Sequence, residues 1–367
     1  VYLKSLRLVN FRNFSQAQIF PNPRLNIIYG QNGAGKSSLL EAVHLLGYGR
    51  SFRTTKANSM LKHDEQELVV FAEVEDQVEE ATKKIGCSRH RKNGYTFKID
   101  GESGFKLNQL VKQVPVQLFT PQSSDLILGS PGDRRKYLDW LLFHVEQSFS
   151  STSSNFNKVL SHRNAILKKL KTKDSSTNVL DLNYWDEQFC ALGEALNKVR
   201  NQYTKAINVE TQSICEQFLP EFKVEISYNA GWDLSRSLKQ ELENKKDRDI
   251  QYGFTNNGPH KGDLIVKADG NLASEVLSRG QLRLLVSMMQ LAHMRMFSKA
   301  RSQSLIYLID DIAAELDISA RKRFIDLLLS TDTQVFVTAI EKNQFDFMND
   351  YNDKKVFHVE HDQVNEE

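Results

Sequence analysis

Polar and apolar residues alternate over positions 2–9, an apolar block with Leu25, Ile27 and Ile28 fills 24–29, and helical spacing takes over at 37–46. The first pattern has the two-residue period of a strand and the last the 3.6-residue period of a helix, so the chain opens as an α/β protein. Segments 67–75 and 95–99 read as further strands, the second entered through the turn-like step Lys92-Asn93-Gly94, which predicts a meander beside the main sheet. From about residue 126 the texture changes to helical patterns. Trp185, Phe189, Leu192, Leu196, Val199 and Tyr203 fall at three-and-four spacing and make one apolar stripe. The polar stretch 171–177 reads as a helix-to-helix connection and 244–249 as a charged linker leading out of the lobe. Past Phe254 strands return: 264–266, 305–309 and 334–337 are short apolar runs of the kind found in buried parallel strands, with a helix over 281–297 between the first two. The expected fold is α/β, a mostly parallel sheet plus an antiparallel meander. An inserted all-helical lobe at 126–251 splits the main lobe into 1–125 and 252–367.

A length of 367 residues suits two lobes. Apolar residues at 40% and charged residues at 26% exclude a disordered or fibrous chain. The formal net charge of +2 is close to neutral, so any nucleic-acid binding must use a local basic patch. Cys87, Cys190 and Cys215 form no C-x-x-C pair and no histidines cluster near them, so neither a disulfide framework nor a zinc site is expected, and a reducing cytosol is the simple reading. There is no apolar run of about 18 residues and no charged-then-apolar leader at Val1, so no membrane span or secretory signal is expected and the protein reads as cytoplasmic.

The strongest motif is Gly30-Gln31-Asn32-Gly33-Ala34-Gly35-Lys36-Ser37, which meets G-x-x-x-x-G-K-S/T between an apolar strand and an apolar helix. Glycines let backbone N–H groups turn inward around a β-phosphate, and the helix N-terminus adds partial positive charge. Lys36 then bridges β- and γ-phosphates and the Ser37 hydroxyl faces Mg²⁺, so ATP and Mg²⁺ are the expected cofactors. A plain glycine turn before a helix is the competing reading, and the apolar segments on both sides weigh against it.

The run 305–309 ends in Asp310-Asp311. In P-loop ATPases a carboxylate at such a place holds Mg²⁺, which assigns Asp310 to the metal, and Asp311 then sits where a general base polarises the attacking water. Many ATPases of this type carry glutamate there. The shorter aspartate predicts slow hydrolysis. Taken alone, a strand ending in Asp-Asp is more often a turn or helix cap; paired with the P-loop it becomes a catalytic candidate. Leu277-Ser278-Arg279-Gly280-Gln281 precedes the helical run 282–296, with Ser278 and Gln281 spaced as an S-x-x-Q capping box. Beside the P-loop and Asp-Asp, this segment resembles the L-S-x-G-Q signature of ABC-type ATPases. There the helix end meets the γ-phosphate held by the other subunit. Ala314-Glu315-Leu316-Asp317 completes the set, with Asp317 similar to the D-loop aspartate.

The whole chain further resembles the RecF family of bacterial DNA-repair and recombination-mediator ATPases. Four segments carry the resemblance: Asn10-Phe11-Arg12-Asn13-Phe14, Gly47-Tyr48-Gly49-Arg50-Ser51-Phe52-Arg53, Pro131-Gly132-Asp133-Arg134-Arg135-Lys136-Tyr137-Leu138-Asp139, and Gly258-Pro259-His260-Lys261-Gly262-Asp263-Leu264. The resemblance implies an ABC-type head with a short helical lobe and weak DNA-stimulated hydrolysis of ATP. It implies an ATP-dependent homodimer, binding to duplex DNA at gaps or junctions, partner mediators, loading of the recombinase RecA, and a place in DNA repair, replication and the SOS response. It also implies nucleotide contacts from Arg12, Asn13 and Ser38. The insert is too short for the long coiled-coil arm of SMC-type relatives.

Thr338-Ala339-Ile340-Glu341 stands where transporter ATPases place a histidine, which leaves Thr338 as the nearest candidate for a γ-phosphate contact. Gln117 and Gln122 both lie near the end of the strand expected over 114–120; Gln122 is the favoured Q-loop residue. Arg50, Arg53 and Lys56 are the DNA candidates, with Arg134, Arg135, Lys136 and Lys261 behind them, through phosphate contacts that read no sequence. His44, His63, His144 and His162 read as packing or surface residues. Two other classes share part of the pattern: a transporter ATPase subunit, disfavoured by the missing histidine and the RecF-like flanks, and a module that holds ATP without cleaving it, which phosphate release would exclude.

Overall fold

A computed structural model describes residues 1–173, 179–312 and 318–367, without the side chain of Ser319. The chain divides into two compact units, Val1–Ser123 with Met294–Glu367 and Ser124–His293. The first unit opens with β1 (Tyr2–Phe11), β2 (Phe14–Ile19), β3 (Leu25–Tyr29), α1 (Lys36–Tyr48), β4 (Glu67–Asp76), β5 (Ala81–His90), β6 (Gly94–Ile99), β7 (Glu102–Ser103), α2 (Leu107–Gln113) and β8 (Val116–Phe119). The second contains α3 (Asp125–Leu128), α4 (Pro131–Val145), α5 (Phe149–Lys171), α6 (Asp181–Phe218), β9 (Val224–Asn229), α7 (Leu238–Tyr252), β10 (Asp263–Ala268), β11 (Asn271–Leu272) and α8 (Ala273–Val276). Helix α9 (Arg279–Arg301) carries the chain back to β12 (Ile306–Ile309), the helix Ile318–Leu329, β13 (Gln334–Ala339), β14 (Lys354–Glu360) and β15 (Gln363–Glu366).

Two six-stranded sheets build the first unit. One is wholly antiparallel in the order β2-β1-β4-β5-β6-β7 and contains the expected meander. The other has the order β15-β14-β3-β13-β12-β8, parallel except for β15 at its edge. Helix α1 is buried on every side, with Leu39, Leu40, Val43 and Leu46 in one core with Leu3, Leu6 and Val70 of the antiparallel sheet and Ile28, Leu308 and Phe336 of the parallel one. The two sheets therefore hold the first turn of α1 rigidly, which fixes whatever that turn presents.

The second unit differs from the all-helical expectation. Strands β9, β10 and β11 form an antiparallel three-stranded sheet, so 264–266 belongs to this sheet and not to the parallel one. The chain consequently returns to the first unit at Met294, well past residue 252. Residues 244–249 are not a linker but the body of α7, and the reason is Asp249, which is fully buried and takes Arg163 Nη1 at 2.8 Å. Arg163 also donates to Asp186 at 2.7 Å and to Thr255 at 2.7 Å, pinning α5 to α6 and α7. The 171–177 connection lies partly outside the described residues. Among those described, no helix is long and apolar enough to cross a membrane.

Candidate nucleotide site

The parallel sheet aligns the C-terminal ends of β3, β12, β13 and β8 along one edge, the place where open α/β sheets bind ligands. The P-loop follows β3, Asp310 and Asp311 follow β12, Thr338 lies near the end of β13, and Pro121 follows β8. They meet around a cleft of ≈ 500 Å³, lined among others by Asn32, Gly33, Lys36, Ser37, Asp310 and Thr338.

Backbone geometry explains the glycines. Gly30 has φ 151°, and a Cβ there would sit 2.2 Å from the Val359 carbonyl oxygen; Gly35 has φ 120°, and a Cβ would meet the Phe14 ring at 2.6 Å. Only glycine lets the loop coil this tightly against its neighbours. Ala34 lies within the loop, its carbonyl accepting from Asn13 Nδ2 at 3.0 Å, and Asn13 also donates to Asp362 Oδ1 at 2.6 Å. Lys36 Nζ donates to the Gly30 and Gln31 carbonyls at 2.6 and 3.0 Å, so the ammonium is folded over the loop. Burial pulls the Lys36 pKa below the ordinary lysine value, and the nearby Asp310 and Asp311 charges oppose that pull. Ser38 is buried behind the loop.

Three hydroxyl and carboxylate groups converge opposite Lys36. Ser37 Oγ donates to Asp310 Oδ1 at 2.9 Å, Thr338 Oγ1 donates to the same oxygen at 2.9 Å, and the Asp311 N–H donates to Thr338 Oγ1 at 2.9 Å. Asp311 sits at φ 55°, a strained conformation for a residue with a Cβ. Hard oxygen donors converging beside a P-loop fit Mg²⁺, which takes one or two protein oxygens and keeps its remaining places for water and phosphate. Thr338, read from the sequence as a phosphate contact, holds the acidic pair together with its hydroxyl while lining the cleft.

Arg12 also lines the cleft. Its Nε and Nη2 donate to Glu41 Oε2 and Oε1 at 2.7 and 2.5 Å, and Nη1 donates to the Ser59 carbonyl at 2.7 Å. Glu41 is fully buried on α1, takes the Ser51 hydroxyl on Oε1, and has Arg53 Nη1 at 3.7 Å. Sequence reading missed Glu41. Its signal was a single carboxylate inside the apolar run Leu39-Leu40-Glu41-Ala42-Val43, where only a paired charge can stand.

Of the basic residues expected on a DNA face, Arg50, Arg53 and Lys56 are all exposed, and Arg53 also lines the cleft. His44 fixes the Arg50 end of that loop. Burial pushes its pKa down to about 3, so the ring is neutral and its Nδ1–H donates to the Arg50 carbonyl at 2.9 Å. Arg134 is engaged elsewhere: its fork grips Asp263 at 2.7 and 2.9 Å and it donates to the Ile127 and Gly129 carbonyls, so it ties α4 to β10 and is not a surface contact. Arg135 donates to the Gly262 carbonyl at 2.6 Å, Lys136 pairs with Asp133 at 2.8 Å, and Lys261 lies over the Phe254 ring. Gln117 is buried within β8, while Gln122 is exposed just past Pro121 of the cleft.

In the second unit, Ser278 caps α9. The Ser278 N–H donates to Gln281 Oε1 at 2.9 Å and the Gln281 N–H donates to Ser278 Oγ at 3.3 Å, and Ser278, Arg279 and Gly280 are exposed. Asp317 lies outside the described residues.

A family profile described as RecF/RecN/SMC N terminal domain matches residues 2–365. The chain is 44% identical over 367 residues to DNA replication and repair protein RecF of Pseudoalteromonas atlantica, covering 100% of this chain and 99% of that one. It is 37% identical over 363 residues to DNA replication and repair protein RecF of Proteus mirabilis, covering 99% and 98%. Two solved structures of the recombination mediator protein RecF in the RecFOR pathway, RecF-ATPrS and RecF-ATP, superpose with a TM-score of 0.89 at 27% identity, covering 100% of this chain and 98% and 97% of theirs. An SmcHead bound to the C-winged helix domain of ScpA superposes at a TM-score of 0.61 and 16% identity, a likeness of fold alone.

Proposed function

This chain belongs to the RecF family, and we propose from that membership and from the cleft that it is an ATP-dependent, DNA-binding recombination mediator of the RecFOR pathway. The observation that carries the reading is the Asp310 carboxylate oxygen shared by the Ser37 and Thr338 hydroxyls, each at 2.9 Å, beside a glycine loop with Lys36 folded over it. A relative solved with ATP supports the choice of nucleotide.

Residues 30–38 cradle the phosphates, with Arg12 and Asn13 on the flanking wall. Lys36 leaves the loop carbonyls for the β- and γ-phosphate oxygens. Ser37 and Asp310 would hold Mg²⁺, which would supply charge neutralisation to the phosphates. Asp311 takes the proton of the attacking water, and as a short carboxylate it does so slowly. The capped end of α9, Ser278 to Gln281, faces the nucleotide held by a second copy of this chain, since exposed N–H groups at a helix start bind phosphate without further chemistry. The nucleotide is then part of a homodimer interface, and loss of the γ-phosphate opens it. Turnover is a timer for residence on DNA, a population shift whose size follows from how much better the closed state holds ATP.

Duplex DNA near single-strand gaps is the expected partner, held through the exposed Arg50 and Lys56 with Arg53 between them, and the dimer aids loading of RecA with its partner mediators. Anisotropy of a labelled gapped duplex tests this reading. Binding should require ATP and Mg²⁺ and vanish in Lys36→Met. Equal binding with and without nucleotide would count against it.

A further inference from the structure

Glu41 stands five residues after the P-loop lysine, on a buried and largely apolar helix where it is the one carboxylate. A carboxylate buried this completely is costly unless charges and donors meet it. It has them: the Arg12 fork at 2.7 and 2.5 Å, the Ser51 hydroxyl, and Arg53 at 3.7 Å. A guanidinium has five N–H groups. Two of those on Arg12 are taken by Glu41 and one by the Ser59 carbonyl, which leaves one on each terminal nitrogen of a side chain that lines the cleft. Planar fork pairing fixes the guanidinium plane as well as its position. Arg12 itself is held at φ 56°, so its backbone too is set in a strained conformation by its surroundings.

We propose that Glu41 is a positioning residue for the nucleotide site: it aims the two remaining Arg12 N–H groups at the phosphates and tethers Arg53 as a second cation at the rim. The inference rests on the reading of the cleft as an ATP site. The two roles open to this carboxylate change ATP affinity in opposite directions. A carboxylate acting only as a countercharge would weaken phosphate binding by its field, so removing its charge would tighten ATP. A carboxylate that positions Arg12 does the reverse, because the released guanidinium turns away from the phosphates or bonds the vacated pocket.

The test is Glu41→Gln in the full chain, which keeps shape and removes the charge, measured for ATP affinity and for steady-state phosphate release. KM for ATP should rise on the order of 10-fold, the loss common when an outer partner of a binding group is removed. kcat should stay within about twofold, the pattern of lost uniform binding. A fall in kcat at unchanged KM would indicate a smaller folded fraction and overturn the proposal, as would tighter ATP binding. Against an Arg12→Ala background, Glu41→Gln should add little; a second loss of similar size would mean that it acts through some other group. If Glu41→Gln does not fold, Ser51→Ala, which removes only the hydroxyl on Glu41, should raise KM by a smaller factor, and an unchanged KM would sink the idea. Wild type and Lys36→Met serve as controls. A wild type that does not bind ATP defeats both readings, whereas a wild type that binds ATP beside an indistinguishable Glu41→Gln defeats this one alone.

Discussion

Ser37 and Asp310 stand 273 positions apart, yet the Ser37 hydroxyl donates to Asp310 Oδ1 at 2.9 Å. Strand order explains the meeting. β13 lies between β3 and β12, so Thr338 at its end is flanked by the P-loop on one side and the acidic pair on the other.

Thr338 is therefore a test of the acidic pair. Thr338→Val keeps the volume but removes the donor to Asp310 and the acceptor of the Asp311 N–H. Stability in urea should fall by about 1–3 kcal/mol, the cost of leaving a buried polar group unmet. ATP binding in Mg²⁺ should weaken, and Thr338→Ser should recover both. No change in either quantity would mean that the hydroxyl does not hold the pair.

Asp311→Asn should leave the fold intact, because asparagine tolerates the left-handed φ that Asp311 adopts. Phosphate release should drop on the order of 10²- to 10⁴-fold, the usual share of a general base, with ATP binding retained. A variant that hydrolyses normally would remove Asp311 from the chemistry.

Arg50 and Arg53 should separate. Arg50→Ala should weaken gapped-duplex binding and reduce the salt slope by about one phosphate contact, with KM for ATP unchanged. Arg53→Ala should alter ATP affinity as well, because Arg53 lines the cleft and faces Glu41. Identical behaviour of the two variants would contradict the placement.

His293 on α9 gives a pH test of the second unit. It stacks on Tyr137 with ring centroids 3.6 Å apart, neither ring nitrogen has a hydrogen-bond partner among the described residues, and burial lowers its pKa from 6.5 to about 3. Below the unfolded value the unfolded chain binds a proton that the folded chain refuses. Stability is thus full above 6.5 and is lost as pH falls from there toward 3. His293→Phe should flatten stability against pH in that window, by up to roughly 1.4 kcal/mol per pH unit. An unchanged slope in urea melts would show that His293 is not refusing the proton.

The first unit was legible in sequence because its elements are local and its patterns clean: the strand before Gly30, the helix after Lys36 and the run before Asp310 stand in the structure as β3, α1 and β12. The capping hydrogen bonds of Ser278 and Gln281 follow directly from their spacing. The second unit was harder. Residues 264–266 have the apolar texture of a parallel strand, but their partners are the residues of β9, and pairing direction is not written in a single strand. Charged residues in 244–249 suggested a linker, while the buried partner that makes Asp249 helical, Arg163, lies 86 residues away. Glu41 was hidden for the same reason, its partners Arg12 and Arg53 being set by tertiary packing.

We propose that ATP closes two copies of this chain across the P-loop of one and the Ser278 end of the other. Sedimentation of wild type, Lys36→Met and Ser278→Arg with and without ATP and Mg²⁺ tests it most directly. Wild type should become a dimer only with ATP, Lys36→Met should stay monomeric because it does not hold the nucleotide, and Ser278→Arg should bind ATP yet remain monomeric. A Ser278→Arg protein that dimerises with ATP as wild type does would contradict the composite site.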